Sequence, residues 1–429
     1  MKRGYYIFGC LVHNERERSM NIVDLPDEIL LHILKKLNNI DALCTFIGIN
    51  EKLDRIVCDV SITRFINLMA VESNQVADSK CMKILPRIHD KIESLTLQAC
   101  LLPRVLQTNN YPHLRKLVIN NLQFIMSCRW FNEKSPFLHI FKQQILELVV
   151  TIGDETMYKS EEKLVTDIYK RIFGLFTNLK YLDIDTNDRH SFPRSLLTGV
   201  PSTTCYSSSI VHLRIRMQNI DDCIYLLDGR LSQLHTMIVN LDYIHDPVLI
   251  RARPQKIIRN SLKLMNNMTN LCRLKYFSLH AYHRTTEFDS IVIPLIRRMT
   301  HLEKLMLSVR VGGKDSFIDG TYLNNCLLSQ MPCLHIFQFN IITEFVSLYA
   351  QQPKPTPDDI RHTFTQRGYN VDCYIDHQFY SSRRCHVYSL PFPMDRMYHI
   401  THSFSGGMFT NVIFKCNSTS IGSLREANK

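Results

Sequence analysis

The feature that most constrains this fold is a six-residue apolar pattern that recurs along the chain. In each hexad the first, fourth and sixth residues are apolar, which is the period-2 alternation of a short β-strand. Nine hexads occur before residue 340, and their first residues are 22 to 40 residues apart. Their apolar positions are Ile92/Leu95/Leu97, Leu114/Leu117/Ile119, Ile145/Leu148/Val150, Leu179/Leu182/Ile184, Ile210/Leu213/Ile215, Leu234/Met237/Val239, Leu274/Phe277/Leu279, Leu302/Leu305/Leu307 and Leu334/Phe337/Phe339. The pattern indicates repeated units that bury their apolar residues by stacking.

Amphipathic helices are predicted between the hexads. Apolar residues from Leu164 to Phe176 fall on one helical face before the hexad at Leu179, and a second helix is predicted from Asp221 to Leu231. Alternation of strand, turn and helix predicts an α/β solenoid. A doubly wound α/β enzyme is the competing fold, but no glycine-rich phosphate loop follows any hexad, and the chain has only 14 glycines.

A second motif precedes the hexads, where Leu-Pro-Asp-Glu at residues 25–28 opens a predicted helix that runs to Leu37. Proline is favoured in a first helical turn, and acidic side chains are favoured near the positive helix end. Two further short helices are predicted over residues 41–47 and 51–58. Three short helices bury little apolar surface, so we expect this unit to be stabilised by a partner or by the next domain.

The N-terminal segment resembles the F-box, which begins with Leu-Pro-x-Glu followed by paired aliphatic residues and a downstream apolar helix. Leu25, Pro26 and Glu28 match this pattern. The family often carries a tryptophan in its third helix, where this chain has Leu-Asp-Arg at residues 53–55, and this departure weakens the expected third-helix contacts. The hexads between residues 90 and 340 resemble the irregular leucine-rich repeats of F-box receptors.

The resemblance implies a substrate-recognition subunit of an SCF-type E3 ubiquitin ligase, in the ubiquitin conjugation pathway. Such a subunit is not an enzyme: its F-box docks the adaptor subunit and, through it, cullin, while its repeats bind a protein target. Catalytic residues, metals and cofactors are therefore not expected. By resemblance, the adaptor contacts are Leu25, Pro26, Ile29, Leu30, Ile33 and Leu34.

Six segments are predicted along the chain. They are an N-terminal tail (1–19), the F-box (20–66), a helical linker (67–91), the leucine-rich-repeat-like array (92–340), a folded C-terminal extension (341–416) and a polar tail (417–429). The hexad pattern fades after Asn340, and Asp358 and Asp359 predict a new helix beyond a proline-rich turn.

Target contacts are expected on the strand face opposite the buried one. The third, fifth and seventh residues of the hexads at 179 and 210 lie on that face. They are Tyr181, Asp183, Asp185, His212, Arg214 and Arg216. Two acids beside two arginines on the next strand either neutralise one another or form a polar hot spot for a charged peptide.

The net charge of +11 keeps a nucleic-acid-binding solenoid as an alternative. The densest basic run, residues 251–263, has five bases and no acid, and we interpret it as a solvated helix face rather than a phosphate groove. An F-box scaffold that does not drive ubiquitination is the other alternative.

Cysteine usage and hydropathy bear on the location of the protein. The 14 cysteines are scattered without a C-x-x-C pair, which predicts reduced thiols and a cytoplasmic or nuclear protein. Cys385 beside His386 is the nearest approach to a metal or nucleophile pair, but no second ligand pair accompanies it. No apolar run approaches the roughly 18 residues needed to cross a bilayer, so no membrane contact is expected.

Overall fold

The computed structural model describes residues 22–69, 83–108, 110–123, 130–132, 134–153, 162–186, 206–245, 247–268, 271–347, 355–378, 382–394, 396–404 and 412–416. The predicted tails at 1–19 and 417–429 lie outside these ranges. The chain divides into two compact units, Met1–Val118 and Ile119–Lys429. Within the described ranges the protein is an α/β fold with 13 α-helices and a 12-stranded, mostly parallel sheet.

The first unit opens with four short helices, α1 (Asp27–Leu34), α2 (Asn39–Phe46), α3 (Glu51–Val57) and α4 (Val60–Thr63). The side chains of Asn38, Asn50 and Asp59 accept hydrogen bonds from backbone N–H groups and so cap α2, α3 and α4. Helices are present at the three predicted positions, although α1 ends at Leu34. A fourth helix, α4, follows them, and α2 and α4 pack against the next strand, so a separate three-helix F-box is not evident. Both α1 and α2 pack against α3. The buried aliphatic residues of α1 to α3 include Leu30, Leu34, Ile40, Leu43, Leu53, Ile56 and Val57.

Strand pairing begins directly after these helices. Strand β1 (Phe65–Asn67) pairs in parallel with β2 (Ser94–Gln98), which is followed by α5 (Leu102–Thr108). The predicted boundary at 66/67 therefore falls inside a strand. Strand β3 (Lys116–Leu122) begins in the first unit and ends in the second.

The second unit continues the strand series. Its strands are β4 (Glu147–Ile152), β5 (Tyr181–Thr186), β6 (His212–Met217), β7 (Thr236–Leu241), β8 (Tyr276–Thr285), β9 (Lys304–Val311) and β10 (Ile336–Ser347). All nine predicted hexads are confirmed as strands β2 to β10, and each strand begins two residues after its hexad does. Of the 27 apolar hexad positions only Leu334 is not buried.

Strand order follows chain order for most of the sheet. In the sheet, strands β1 to β10 lie side by side in the same order as along the chain, and the pairs from β4 to β10 are parallel. Strand β12 (Ser382–Ser389) pairs antiparallel with β10 on one side and with β11 (Val371–Gln378) on the other, and β11 is the edge strand of the sheet. The predicted boundary at 340/341 thus lies inside β10. A separate two-stranded sheet contains β13 (Arg396–Ile400) and β14 (Ile413–Cys416).

Helices connect the strands of the second unit. They are α6 (Pro136–Phe141), α7 (Glu162–Leu175), α8 (Ile220–Leu226), α9 (Pro247–Ala252), α10 (Pro254–Met265), α11 (Ile293–Arg297), α12 (Gly320–Cys326) and α13 (Pro357–Thr365). Helix α7 buries Tyr169, Ile172 and Phe173, as predicted. The predicted helix at Asp358 is confirmed as α13, whereas α8 ends at Leu226, before the expected Leu231. None of the described helices combines the length and apolarity needed to cross a membrane.

Candidate docking surfaces

Helix α1 presents apolar side chains to solvent. Ile29 is 49% exposed and Ile33 is 39% exposed, and their four-residue spacing puts them on the same helical face. Leu37, in the turn after α1, is 44% exposed. Only some of the aliphatic side chains that follow Leu-Pro-Asp-Glu are therefore buried in the core of the first unit.

Other apolar residues of the first unit are exposed as well. Ile49, Val60 and Phe65 are each more than half exposed. Six of the eleven exposed large apolar residues in the described ranges lie between residues 29 and 65. A single exposed apolar residue needs no explanation, but a concentration in so short a segment is typical of a binding surface.

The segment leading into α1 is fixed by α3. Lys52 Nζ donates hydrogen bonds to the carbonyl oxygens of Val23 (2.9 Å) and Leu25 (2.7 Å), and it lies 3.5 Å from an oxygen of Asp27. Arg55 contacts the other Asp27 oxygen at 2.6 Å. These exposed ion pairs contribute little to stability, about 0–1 kcal/mol each. Their effect is to orient the Leu-Pro dipeptide.

The six predicted adaptor contacts differ in how exposed they are. Leu25 is half-buried and Pro26 is exposed, so both can meet a partner. Leu30 and Leu34, however, are only 1% and 2% exposed. Each is one residue beyond an exposed isoleucine, and a rotation of about 100° per residue turns it into the core.

The six residues predicted to contact a target lie on β5 and β6, and we call them the polar strip: Tyr181, Asp183, Asp185, His212, Arg214 and Arg216. Asp183 is directly opposite Arg214 in the parallel register, and Arg214 Nε lies 3.9 Å from the Asp183 carboxylate. The Tyr181 hydroxyl donates to the same carboxylate at 3.4 Å, and its ring lies 6.5 Å from that of His212. Burial raises the pKa of Asp183, and the positive charge of Arg214 partly offsets this effect. This end of the strip combines a half-exposed arginine with a partly desolvated carboxylate.

Arg216 departs from the prediction of an exposed charge. Its side chain is 7% exposed and makes two hydrogen bonds to Asp242, from Nε (3.2 Å) and from Nη2 (3.0 Å). Its guanidinium also lies 5.0 Å from the ring centre of Tyr282. Arg216 is therefore part of a buried ion pair with Asp242, the residue that directly follows β7. Asp185 is half-buried.

The basic run forms an exposed helical face. Arg251, Arg253, Lys256, Arg259 and Lys263 are all exposed, and in the described ranges none of them forms an ion pair. Ser261 anchors the opposite side of α10: its hydroxyl donates to Asp221 (2.5 Å) and contacts His245 Nε2 (2.9 Å). The helix thus turns its cations towards solvent, as a solvated face requires.

Cys385 and His386 are buried inside the β10–β12 region. His386 hydrogen-bonds to the Tyr374 hydroxyl (2.7 Å) and to Asn340 Oδ1 (2.6 Å), and burial lowers its pKa well below the usual value. A hydrogen bond with Cys373, together with burial, raises the pKa of the Cys385 thiol. Across the residues with a described position, no group of three or more Cys, His, Asp or Glu side chains is arranged to hold a metal ion.

No model of a known protein family matches the chain. No curated protein is significantly similar to its sequence. Inference about function therefore rests on the residues and geometry of these surfaces.

Proposed function

We propose that this protein is the substrate-recognition subunit of an SCF-type ubiquitin ligase. In this proposal the first unit docks the adaptor subunit, and through it cullin, and the second unit binds a protein target. The observation that carries the proposal is the exposed aliphatic surface of Ile29 and Ile33 directly after the Leu-Pro dipeptide at residues 25–26.

The chemistry of this surface favours a protein partner. Removing apolar area from water drives association, and a helical unit that keeps several aliphatic side chains at its surface gains stability when a partner covers them. Lys52 orients the Leu-Pro segment through two backbone carbonyls, so less conformational freedom is lost on binding.

The sheet supports the second half of the proposal. Nine hexads become nine neighbouring strands in chain order, with helices between them, which is the arrangement expected of an irregular leucine-rich-repeat solenoid. Its polar strip, with Tyr181, Asp183, His212 and Arg214, is suited to a hydrophilic segment of a target.

In this role the protein does not catalyse ubiquitin transfer itself. It holds the target near a ubiquitin-loaded conjugating enzyme, and the rate gain comes from a raised effective concentration. We expect it to act in the cytoplasm or nucleus. Nucleic-acid binding is the second candidate function, because five exposed cations without ion-pair partners among the described residues lie along residues 251–263.

Reconstitution of the complex tests the proposal. The full-length chain is mixed with purified adaptor and cullin and separated by gel filtration. Wild type should co-elute with both, and the double variant Ile29→Asp/Ile33→Asp should elute alone. Leu262→Asp is the matched control, because Leu262 is also an exposed helical aliphatic residue (38%) but lies on α10. Failure of the wild type to co-elute, or co-elution of the double variant, would contradict the proposal.

A further inference from the structure

Helix α10 carries a row of like charges along its exposed side. Lys256, Arg259 and Lys263 are separated by three and four residues, which places them on one face of the helix. Arg251 and Arg253 precede them, all five side chains are exposed, and we call these five residues the basic face. Like charges one helical turn apart repel one another and destabilise the helix, whereas a face that only keeps a protein soluble usually mixes both signs.

The surroundings of the basic face do not compensate this repulsion. No Asp or Glu occurs in the sequence between Pro247 and Thr286. Asp221, which α10 contacts, lies at the opposite side of the helix, where it accepts a hydrogen bond from the Ser261 hydroxyl at 2.5 Å. Since none of the five cations forms an ion pair with a described residue, the basic face keeps its positive charge.

A further cation lies beside the C-terminal end of α10. Arg298, the exposed residue directly after α11, donates from Nη2 to Asn266 Oδ1 at 2.8 Å. Asn266 is three residues beyond Lys263 and on the same side of the helix. Because the Asn266 acceptor is neutral, this hydrogen bond orients Arg298 without cancelling its charge. The positive surface therefore extends from α10 to the end of α11.

An aliphatic side chain lies within this charged surface. Leu262 is 38% exposed and lies three residues after Arg259 and next to Lys263. No aromatic residue occurs between residues 251 and 263. Nucleic acids are held mainly through their phosphates and, when single-stranded, by stacking of bases on aromatic rings, and neither contact uses an aliphatic side chain. A protein segment with both carboxylates and aliphatic side chains matches the cations and Leu262 together.

We propose that the basic face and Leu262 bind an acidic segment of a partner protein, in which an aliphatic side chain lies among the carboxylates. The carboxylates relieve the repulsion between the cations, and the aliphatic side chain covers Leu262. None of these residues belongs to the surfaces assigned above to the adaptor or to the target. The proposal therefore stands or falls separately from the proposed function.

Fluorescence anisotropy with two labelled peptides and the full-length chain tests the proposal. The peptides are three repeats of Glu-Leu-Glu-Glu and three repeats of Glu-Ala-Glu-Glu, which carry the same charge and differ only in their aliphatic side chains. Wild type should bind the leucine peptide more tightly than the alanine peptide, and salt should weaken both complexes. Equal affinity for the two peptides, or no binding, would overturn the proposal.

Charge variants locate the binding. Lys256→Gln/Arg259→Gln/Lys263→Gln should raise the Kd of both peptides by at least about tenfold. The matched control changes the charge by the same amount through three exposed lysines elsewhere in the second unit, Lys134→Gln/Lys142→Gln/Lys180→Gln. It should bind both peptides as wild type does. An equal loss of affinity in the control would show that the peptides respond to overall charge and not to the basic face.

Leu262→Ala separates a protein ligand from a nucleic acid. Loss of the covered part of Leu262 should raise the Kd of the leucine peptide by about two- to sevenfold and leave that of the alanine peptide unchanged. A short DNA duplex serves as the competing polyanion. If the duplex binds more tightly than the leucine peptide and Leu262→Ala affects neither ligand, the basic face is a nucleic-acid surface and the proposal is wrong.

Discussion

Arg214 and Arg216, two residues apart on β6, should respond in opposite ways to the same substitution. Arg216→Gln breaks a buried ion pair with Asp242, whereas Arg214→Gln removes a half-exposed charge beside Asp183. We therefore expect Arg216→Gln to destabilise the second unit and Arg214→Gln to leave it nearly as stable as wild type.

The different burial of Arg216 and Arg214 determines how much stability each variant loses. The Arg216 and Asp242 side chains are 7% and 3% exposed, and breaking a buried ion pair by removing one partner costs about 3–5 kcal/mol. The Arg214 side chain is 41% exposed and its shortest contact with Asp183 is 3.9 Å, so its loss costs about 0–1 kcal/mol. The difference between the two variants should thus be at least about 2 kcal/mol.

Urea unfolding followed by tryptophan fluorescence measures this difference. The only tryptophan of the chain is Trp130, which is 7% exposed and lies in the second unit, so its emission reports the unfolding of that unit. The free energy of unfolding follows from the midpoint and slope of the curve. Equal midpoints for the two variants would refute the assignment of Arg216 to a buried pair.

Three further predictions concern other parts of the molecule. Leu34→Ala should lower the free energy of unfolding by about 2–5 kcal/mol because Leu34 is in the core, while Ile33→Ala should change it by no more than about 1 kcal/mol. Thermal unfolding followed by circular dichroism should distinguish the two variants. Similar losses of stability in both would contradict the burial of Leu34 and the exposure of Ile33. Replacing the five bases of residues 251–263 by Gln should change stability by no more than about 0.5 kcal/mol in urea unfolding; a steep salt-dependent nucleic-acid affinity that this variant loses would instead support the nucleic-acid function. Burial lowers the pKa of His280 and of His386, so the unfolded chain binds more protons than the folded chain below about pH 6.5, and stability should fall from pH 7 to pH 5. The urea midpoint should fall less over this range in His280→Gln than in wild type. An identical fall in the variant and in wild type would show that His280 does not contribute.

The strands were predictable because burial leaves a direct trace in the sequence. A short parallel strand with apolar residues at alternate positions must bury them. The hexad pattern therefore predicts a strand even when the neighbouring strands are not known. The antiparallel pairing of β12 with β10 was not predictable, because residues 382–389 carry no hexad and β10 continues beyond its own.

The docking residues were predictable only in part. Helical periodicity identifies the apolar side of α1, but it does not say where on that side the core ends, and this is why Leu30 and Leu34 were assigned to the adaptor surface. Strand alternation likewise places Arg214 and Arg216 on one face, but it carries no information about Asp242, which follows β7 and hydrogen-bonds to Arg216. Burial of polar residues depends on such neighbours.

Docking of the adaptor by the first unit is tested most directly by methyl NMR. Isoleucine δ1-methyl signals of the full-length chain are followed while unlabelled adaptor is added. The signals of Ile29 and Ile33 should change most, and those of the buried Ile62 and Ile66 should change least. Complete burial of an isoleucine contributes about 1.5–3 kcal/mol, so covering the exposed parts of Ile29 and Ile33 contributes about 1–2.5 kcal/mol, or a five- to seventyfold change in Kd. Ile29→Ala/Ile33→Ala should weaken binding by that factor. Spectra that stay unchanged at excess adaptor would show that this surface does not dock it.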